Sequence, residues 1–220
     1  TEADRVAREA ARRLASGLAA DEDAAVAAAR LALDLPRAHP SRLLVHRHLE
    51  AIEQQAMGAE AWRADRRRRF EAIEELMCLL EQSLDARTLL VGRAVRGHLT
   101  GTDPVRLRIY TDAAVHEIAA ALEIGGVEEM AFPVEETTRG RLDSIRWADP
   151  DCGEVVMVRM RPEAWPDRGR NLFRDEPVPT LDAEGLRRRL AGDADAVADA
   201  GDGLDQSAAE NAASSSANEG

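Results

Sequence analysis

Apolar positions in the first third of the chain recur at the spacing of amphipathic helices. Phe70, Ile73, Met77 and Leu80 lie three or four residues apart and form one stripe of a helix predicted over Glu60–Ser83. Three shorter helices precede it, and each follows a residue whose side chain suits a helix N-cap. These helices are predicted over residues 1–19, 21–33 and 41–58, with Thr1, Asp21 and Ser41 as their caps.

From Thr88 the pattern changes to short runs that alternate or are continuously apolar, which is typical of strands. A helix over Ala113–Glu123, capped by Asp112, and a short last helix over Leu181–Leu190 interrupt these runs. The predicted strands are Thr88–Val95, Val105–Tyr110, Glu129–Glu136, Arg141–Ala148 and Glu154–Arg161. The predicted fold class is therefore α+β, with a helical N-terminal region and a small mixed sheet of about five strands.

The same change of pattern divides the chain into three predicted parts. Residues 1–85 form a helical region and residues 86–191 form an α+β domain. Residues 192–220 contain seven acidic residues, no arginine and no Trp, Phe, Tyr or Ile. Because such a composition buries too little apolar area to offset the entropy of ordering, we predict that this acidic tail is disordered.

Charge and composition exclude several classes of function. The formal net charge is −12, which is unsuited to sequence-independent nucleic-acid binding because that binding depends on neutralising phosphates. All 29 basic residues are arginine, so chemistry that requires a lysine amine is excluded. Two cysteines make no disulfide framework or metal cluster. No apolar run suits a bilayer span or a signal peptide, so we expect no membrane association and a cytoplasmic location.

The segment Leu89–Tyr110 carries the clearest candidate chemistry. It consists of an apolar strand, a loop that contains Gly97 and Gly101, and the alternating strand Val105–Tyr110. The following elements are a helix and three strands. This order resembles the DNA-polymerase-β-like nucleotidyltransferase superfamily, in which a glycine turn approaches the nucleotide triphosphate.

The resemblance implies a magnesium site that this sequence does not supply. Members of that superfamily carry an Asp-x-Asp pair on the second strand and a third carboxylate from a later strand, which together hold two magnesium ions. The positions of the pair are occupied here by Pro104 and Arg106. Pro104 has no side-chain ligand atom, and Arg106 brings positive charge where a cation would bind. The chain therefore resembles a degenerate member, and we predict no metal, no cofactor and no catalytic residue.

Arg106 and Arg108 lie two residues apart and so share one face of the predicted strand. Guanidinium groups suit bidentate contacts with phosphate, so a nucleotide or phosphate site is predicted without metal. The candidate residues of that site are Gly97, Gly101, Asp103, Arg106 and Arg108. The alternative interpretation is that the two arginines form the solvated face of an edge strand.

Two other functions remain open at this point. The first is a non-enzymatic interaction module that docks a protein partner through its helical half and acidic tail. The second is a true transferase that uses Asp103 together with Asp143 or Glu154 as the third carboxylate.

His46 and His48 lie two residues apart on a helix, where they cannot chelate one ion, and are predicted to be solvated.

Overall fold

The computed structural model describes residues 1–100, 103–174 and 176–192, and it confirms the α+β class with a helical N-terminal region. Gly101 and the acidic tail from residue 193 onward lie outside the described residues. The chain forms two compact units. The first comprises Thr1–Arg66 with Thr100–Asp103, and the second comprises Arg67–Leu99 with the described residues from Pro104 onward.

The helical unit is built from three capped helices and the beginning of a fourth. The side chains of Thr1, Asp21 and Ser41 each accept a hydrogen bond from the backbone N–H three residues ahead, as predicted for N-caps. Small residues let the helices approach closely, and Ala10, Val45 and Leu49 are fully buried among them. The helices are α1 (Glu2–Ala15), α2 (Glu22–Leu33), α3 (Arg42–Met57) and α4 (Ala59–Leu84).

Two histidines of α3 contact acidic residues of the other helices. His48 Nε2 lies 2.9 Å from Asp4 Oδ1 of α1, and His46 Nε2 lies 3.2 Å from Glu22 Oε2 of α2. His46 is buried, which corrects the prediction of a solvated side chain. Its acidic partner lies 24 residues away in the sequence, so helical spacing within α3 could not reveal it.

The pair of Asp4 and His48 predicts a pH dependence of stability. The hydrogen bond to His48 lowers the pKa of Asp4 in the folded state. This carboxylate therefore stabilises the fold above the unfolded pKa of about 4, and the contribution is lost as the pH falls through the lower folded value. We expect urea midpoints of Asp4→Asn to fall less steeply between about pH 5 and 3 than those of the native chain.

The matched control for this measurement is Asp34→Asn. Asp34 is exposed, has no ion-pair partner among the described residues, and has a left-handed conformation that asparagine tolerates. Asp34→Asn is expected to retain the native pH profile. Superimposable profiles for Asp4→Asn and the native chain would contradict the assigned contribution of the pair.

The second unit contains a mixed six-stranded sheet with the order β3-β4-β5-β2-β1-β6. Strands β2 and β5 are parallel and the other neighbours are antiparallel. The sixth strand has two residues and is additional to the five predicted. The strands are β1 (Arg87–Val91), β2 (Val105–Tyr110), β3 (Val134–Thr137), β4 (Gly140–Asp149), β5 (Gly153–Met160) and β6 (Thr180–Leu181).

Helices cover one face of this sheet, which we call the helix face. The predicted stripe of α4 packs there, because its residues Phe70 to Leu80 share a core with Leu107 and Ile109. Helices α5 (Val115–Ile124) and α6 (Ala183–Ala191) complete the layer. This half of α4 belongs to the sheet unit, so the two compact units divide inside the helix, between Arg66 and Arg67.

The opposite face of the sheet, which we call the arginine face, is covered only in part within its unit. Leu89, Tyr110 and Val158 form a smaller core with Leu172, which lies in the segment after β5. That segment begins with a short 3₁₀ helix, Pro162–Asp167. Towards the start of β2, the side chains of Arg106, Arg146 and Glu154 on this face are exposed.

Two local predictions differ from the structure for identifiable reasons. The predicted first strand ends at Val91, because Gly92 adopts a positive φ of 83° and the residues that follow form a 3₁₀ turn, Gly92–Arg96. Helix α5 begins after Ala114 rather than Asp112, and the Glu117 side chain accepts the hydrogen bond from the Ala114 N–H.

In the described part of the chain, no helix has the length and apolar character that crossing a bilayer requires.

Candidate functional site

The alternation of β2 sends its side chains to two different environments. Val105, Leu107 and Ile109 lie in the core of the helix face. Arg106 and Arg108 lie on the arginine face, as predicted from their spacing. Strand β2 is central, between β5 and β1, so the alternative of a solvated edge strand does not describe it.

Arg106 is exposed and available to a ligand. In the described part of the chain its guanidinium has no hydrogen-bond or ion-pair partner. The strand register places Arg106 beside Val156 of β5, and Val156 beside Arg146 of β4. Arg146 has the same orientation as Arg106 but is held by Glu135, whose Oε1 lies 2.7 Å from Arg146 Nη2.

Arg108 has a different environment from Arg106. Only 4% of its surface is exposed, and its Nη1 donates a 2.9 Å hydrogen bond to the carbonyl oxygen of Arg168. The Nε–H has no partner among the described residues. Leu89 and Val158 lie beside it on the neighbouring strands. Arg108 is therefore a buried cation for which the described structure supplies no carboxylate.

The glycine turn does not present its amides as a phosphate-binding loop would. The N–H of Gly97 donates to the carbonyl of Ala94 at 3.0 Å, and the N–H of Gly92 donates to the carbonyl of Pro179 at 3.1 Å. Ala94, Val95 and Leu99 anchor the turn in the core of the helix face. Consequently, the structure brings Arg106 and Arg108 together but places the turn's apolar side chains on the opposite face.

The two candidates for a third carboxylate, Asp143 and Glu154, lie on opposite faces of the sheet. Asp103 Oδ2 lies 2.9 Å from His46 Nδ1 in the helical unit. Asp143 is on the helix face, where its Oδ2 lies 3.9 Å from Arg159 Nη1. Glu154 is on the arginine face, two residues before Val156 on β5. Across residues 1–100, 103–174 and 176–192, no three His, Cys, Asp or Glu side chains are arranged to hold a metal ion.

The structure adds residues to the arginine face that the sequence did not identify. The guanidinium carbons of Arg87 and Arg168 lie 4.9 and 5.1 Å from the centre of the Trp165 ring. Tyr110 packs edge-on against the same ring at 5.0 Å, and its hydroxyl is buried without a partner in the described part of the chain. Trp165 lies between Pro162 and Pro166 in the sequence, and no local pattern linked it to β1 or β2.

The two thiols are unsuited to nucleophilic chemistry. Burial, with a smaller contribution from Glu74, raises the pKa of Cys78. Burial and Asp149 likewise raise the pKa of Cys152. Both side chains are therefore protonated near neutral pH, and the thiolate is the nucleophilic form.

Comparison with known proteins gives no assignment: no protein-family model matches this chain, and no curated protein is significantly similar to it.

Proposed function

We propose that this protein is a nucleotidyltransferase-like binding protein that has lost metal-dependent transfer and binds a nucleotide or another phosphate-bearing ligand on its arginine face. The observation that carries the proposal is Arg106, an exposed guanidinium without a protein partner in the described structure. It occupies a position that the resemblance assigns to a metal-binding carboxylate. A positive charge there attracts phosphate directly, so no bridging cation is needed.

The charges around this position favour an anion over a cation. Pro104 contributes no ligand atom, and Arg108 follows on the same face. The neighbouring Arg146 adds a further positive charge, although Glu135 offsets it. Glu154 is the acidic side chain of β5 on this face, and no three His, Cys, Asp or Glu side chains among the described residues are arranged to hold a metal ion. The arrangement therefore supports phosphate binding.

Arg106→Gln should weaken nucleotide binding by about 10- to 100-fold, which corresponds to roughly 1.4–2.8 kcal/mol, because a bidentate phosphate contact is lost. The measurement is titration calorimetry with ATP, GTP and UTP, with and without magnesium. Thermal unfolding provides a second readout, since saturation at a hundred times the Kd raises stability by about 2.7 kcal/mol.

The matched control is Arg141→Gln. Arg141 is an exposed arginine whose side chain lies on the helix-face side of β4, where Glu136 holds it at 3.2 Å. Its replacement changes the net charge equally and should leave nucleotide affinity unchanged. Binding that strictly requires magnesium would contradict the loss of the metal site. If no nucleotide binds, or if Arg106→Gln binds normally, the non-enzymatic interaction module becomes the better interpretation.

A further inference from the structure

Trp165 and the groups that surround it form a connected cluster on the arginine face. The cluster comprises Arg87, Arg108, Tyr110, Trp165 and Arg168. Arg87 and Tyr110 are partners in the register of β1 and β2. Arg108 lies two residues before Tyr110 and therefore on the same face of β2. The 3₁₀ helix Pro162–Asp167 supplies Trp165, and Arg168 comes directly after it. Two strands and the segment after β5 therefore converge here, although that segment is distant from the strands β1 and β2 in the sequence.

The cluster has three positive charges and no negative one. None of its arginines has a carboxylate within ion-pair distance among the described residues. Arg87 and Arg168 lie within about 10 Å of each other, because both are near the same ring, and charges at this separation still interact at physiological salt. Buried arginines are normally paired with an acid, so Arg108 is an exception that requires an explanation.

Contacts with the aromatic ring do not remove this excess charge. A cation–π contact contributes about 0.5–2 kcal/mol and leaves the guanidinium fully charged. The carbonyl of Arg168 accepts one hydrogen bond from Arg108 and leaves its Nε–H without an acceptor. The hydroxyl of Tyr110 also has no hydrogen-bond partner among the described residues, and Tyr110 is only 3% exposed. The Nε–H of Arg108 and the hydroxyl of Tyr110 are therefore two buried donors that have no acceptor among the described residues.

We infer that this cluster binds a tetrahedral oxyanion of the phosphate class. A phosphate monoester carries a charge of about −1.5 to −2 and three acceptor oxygens, which match three guanidiniums and a phenol better than a single carboxylate does. Arg87 and Arg168 are exposed, so the rim of the cluster is open to solvent. The inference rests on the proposed function in one respect: one phosphate of the same nucleotide is the occupant we expect, with Arg106 contacting another phosphate of that ligand.

The test uses the full chain and titrates it with inorganic phosphate and, separately, with ATP. Inorganic phosphate should bind the native chain, and Arg108→Met, Arg87→Gln and Arg168→Gln should each weaken that binding at least tenfold. Tyr110→Phe removes only the hydroxyl and should weaken it about threefold, since one neutral hydrogen bond is lost. Arg106→Gln should leave the affinity for inorganic phosphate within about twofold of the native value while weakening the binding of ATP.

Arg108→Met also provides a test that does not depend on affinity. Methionine keeps a similar length without charge, so in phosphate-free buffer this variant should melt at or above the native temperature, and phosphate should no longer raise its melting temperature. Arg87→Gln and Arg168→Gln change exposed side chains and keep the inference testable if Arg108→Met fails to fold.

The outcomes separate this inference from the proposed function. Phosphate binding that survives all three arginine variants, or no phosphate binding at all, overturns the oxyanion site. ATP binding lost in Arg106→Gln but normal in the cluster variants supports the proposed function and overturns the site. Phosphate binding that the cluster variants abolish, with ATP no tighter than phosphate, supports the site and overturns the nucleotide proposal. Arg141→Gln should match the native chain throughout.

Discussion

Leu107→Ala is expected to lower the free energy of unfolding by about 2–5 kcal/mol. Leu107 lies in the central strand β2, is 1% exposed and shares the core of the helix face with α4 and α5. Truncating it removes buried methyl groups and leaves a cavity between sheet and helices, and a well-packed core closes such a cavity only in part. Urea unfolding of the full chain, followed by circular dichroism, measures the change.

Ile124→Ala is the control for this experiment. Ile124 ends α5 and is 85% exposed, so its truncation should change stability by no more than about 0.5 kcal/mol. Equal destabilisation by the two substitutions would mean that β2 does not have the buried central position described here. Side chains alternate between the two faces along β2, so the assignment of Arg106 and Arg108 to the arginine face depends on the burial of Leu107 on the helix face.

Glu81→Ala should lower the free energy of unfolding by roughly 2–4 kcal/mol, because it leaves two buried donors without an acceptor. Glu81 Oε1 accepts hydrogen bonds from both the backbone N–H and the hydroxyl of Thr88, each at 2.8 Å. Thr88 is fully buried, so water cannot replace the carboxylate. This contact joins the end of α4 to the beginning of β1. The free energy of unfolding from urea titration is again the measurement.

Two further substitutions sharpen this prediction. Glu81→Gln retains a side-chain oxygen acceptor and should give an intermediate loss of stability. Glu71→Ala removes an exposed partner of Arg67 four residues away on the same helix and should cost about 0.3–0.5 kcal/mol. A loss for Glu81→Ala as small as that for Glu71→Ala would show that Thr88 finds another acceptor.

Much of the fold could be predicted because its signals are local. The caps Asp21 and Ser41 lie next to the helices that they begin, and the alternation of Val105–Tyr110 marks β2 without reference to the rest of the chain. The prediction was less accurate where local residues suit two structures. The apolar Ala94 and Val95 extended the predicted first strand, whereas Gly92 turns the chain there into a 3₁₀ turn.

The candidate site was predictable only in the part that depends on one strand. Spacing within β2 placed Arg106 and Arg108 on one face, and the structure agrees. Their difference in exposure depends on the segment that carries Arg168, which comes 60 residues later. Asp143 and Glu154 were equivalent in the sequence, but the register of β4 and β5 places them on opposite faces.

Residue types and their spacing were enough to predict the α+β class, the capped helices, the lack of any lysine amine and the shared strand face of Arg106 and Arg108. These features follow from residue types and from periods of two and 3.6, which are properties of neighbouring positions. The burial of Arg108 without a carboxylate partner among the described residues became visible only in the fold, as did the contacts of Trp165 with Arg87, Tyr110 and Arg168. Burial and charge balance depend on segments that meet in space, and nothing in one segment of this chain specifies which distant segment will cover it.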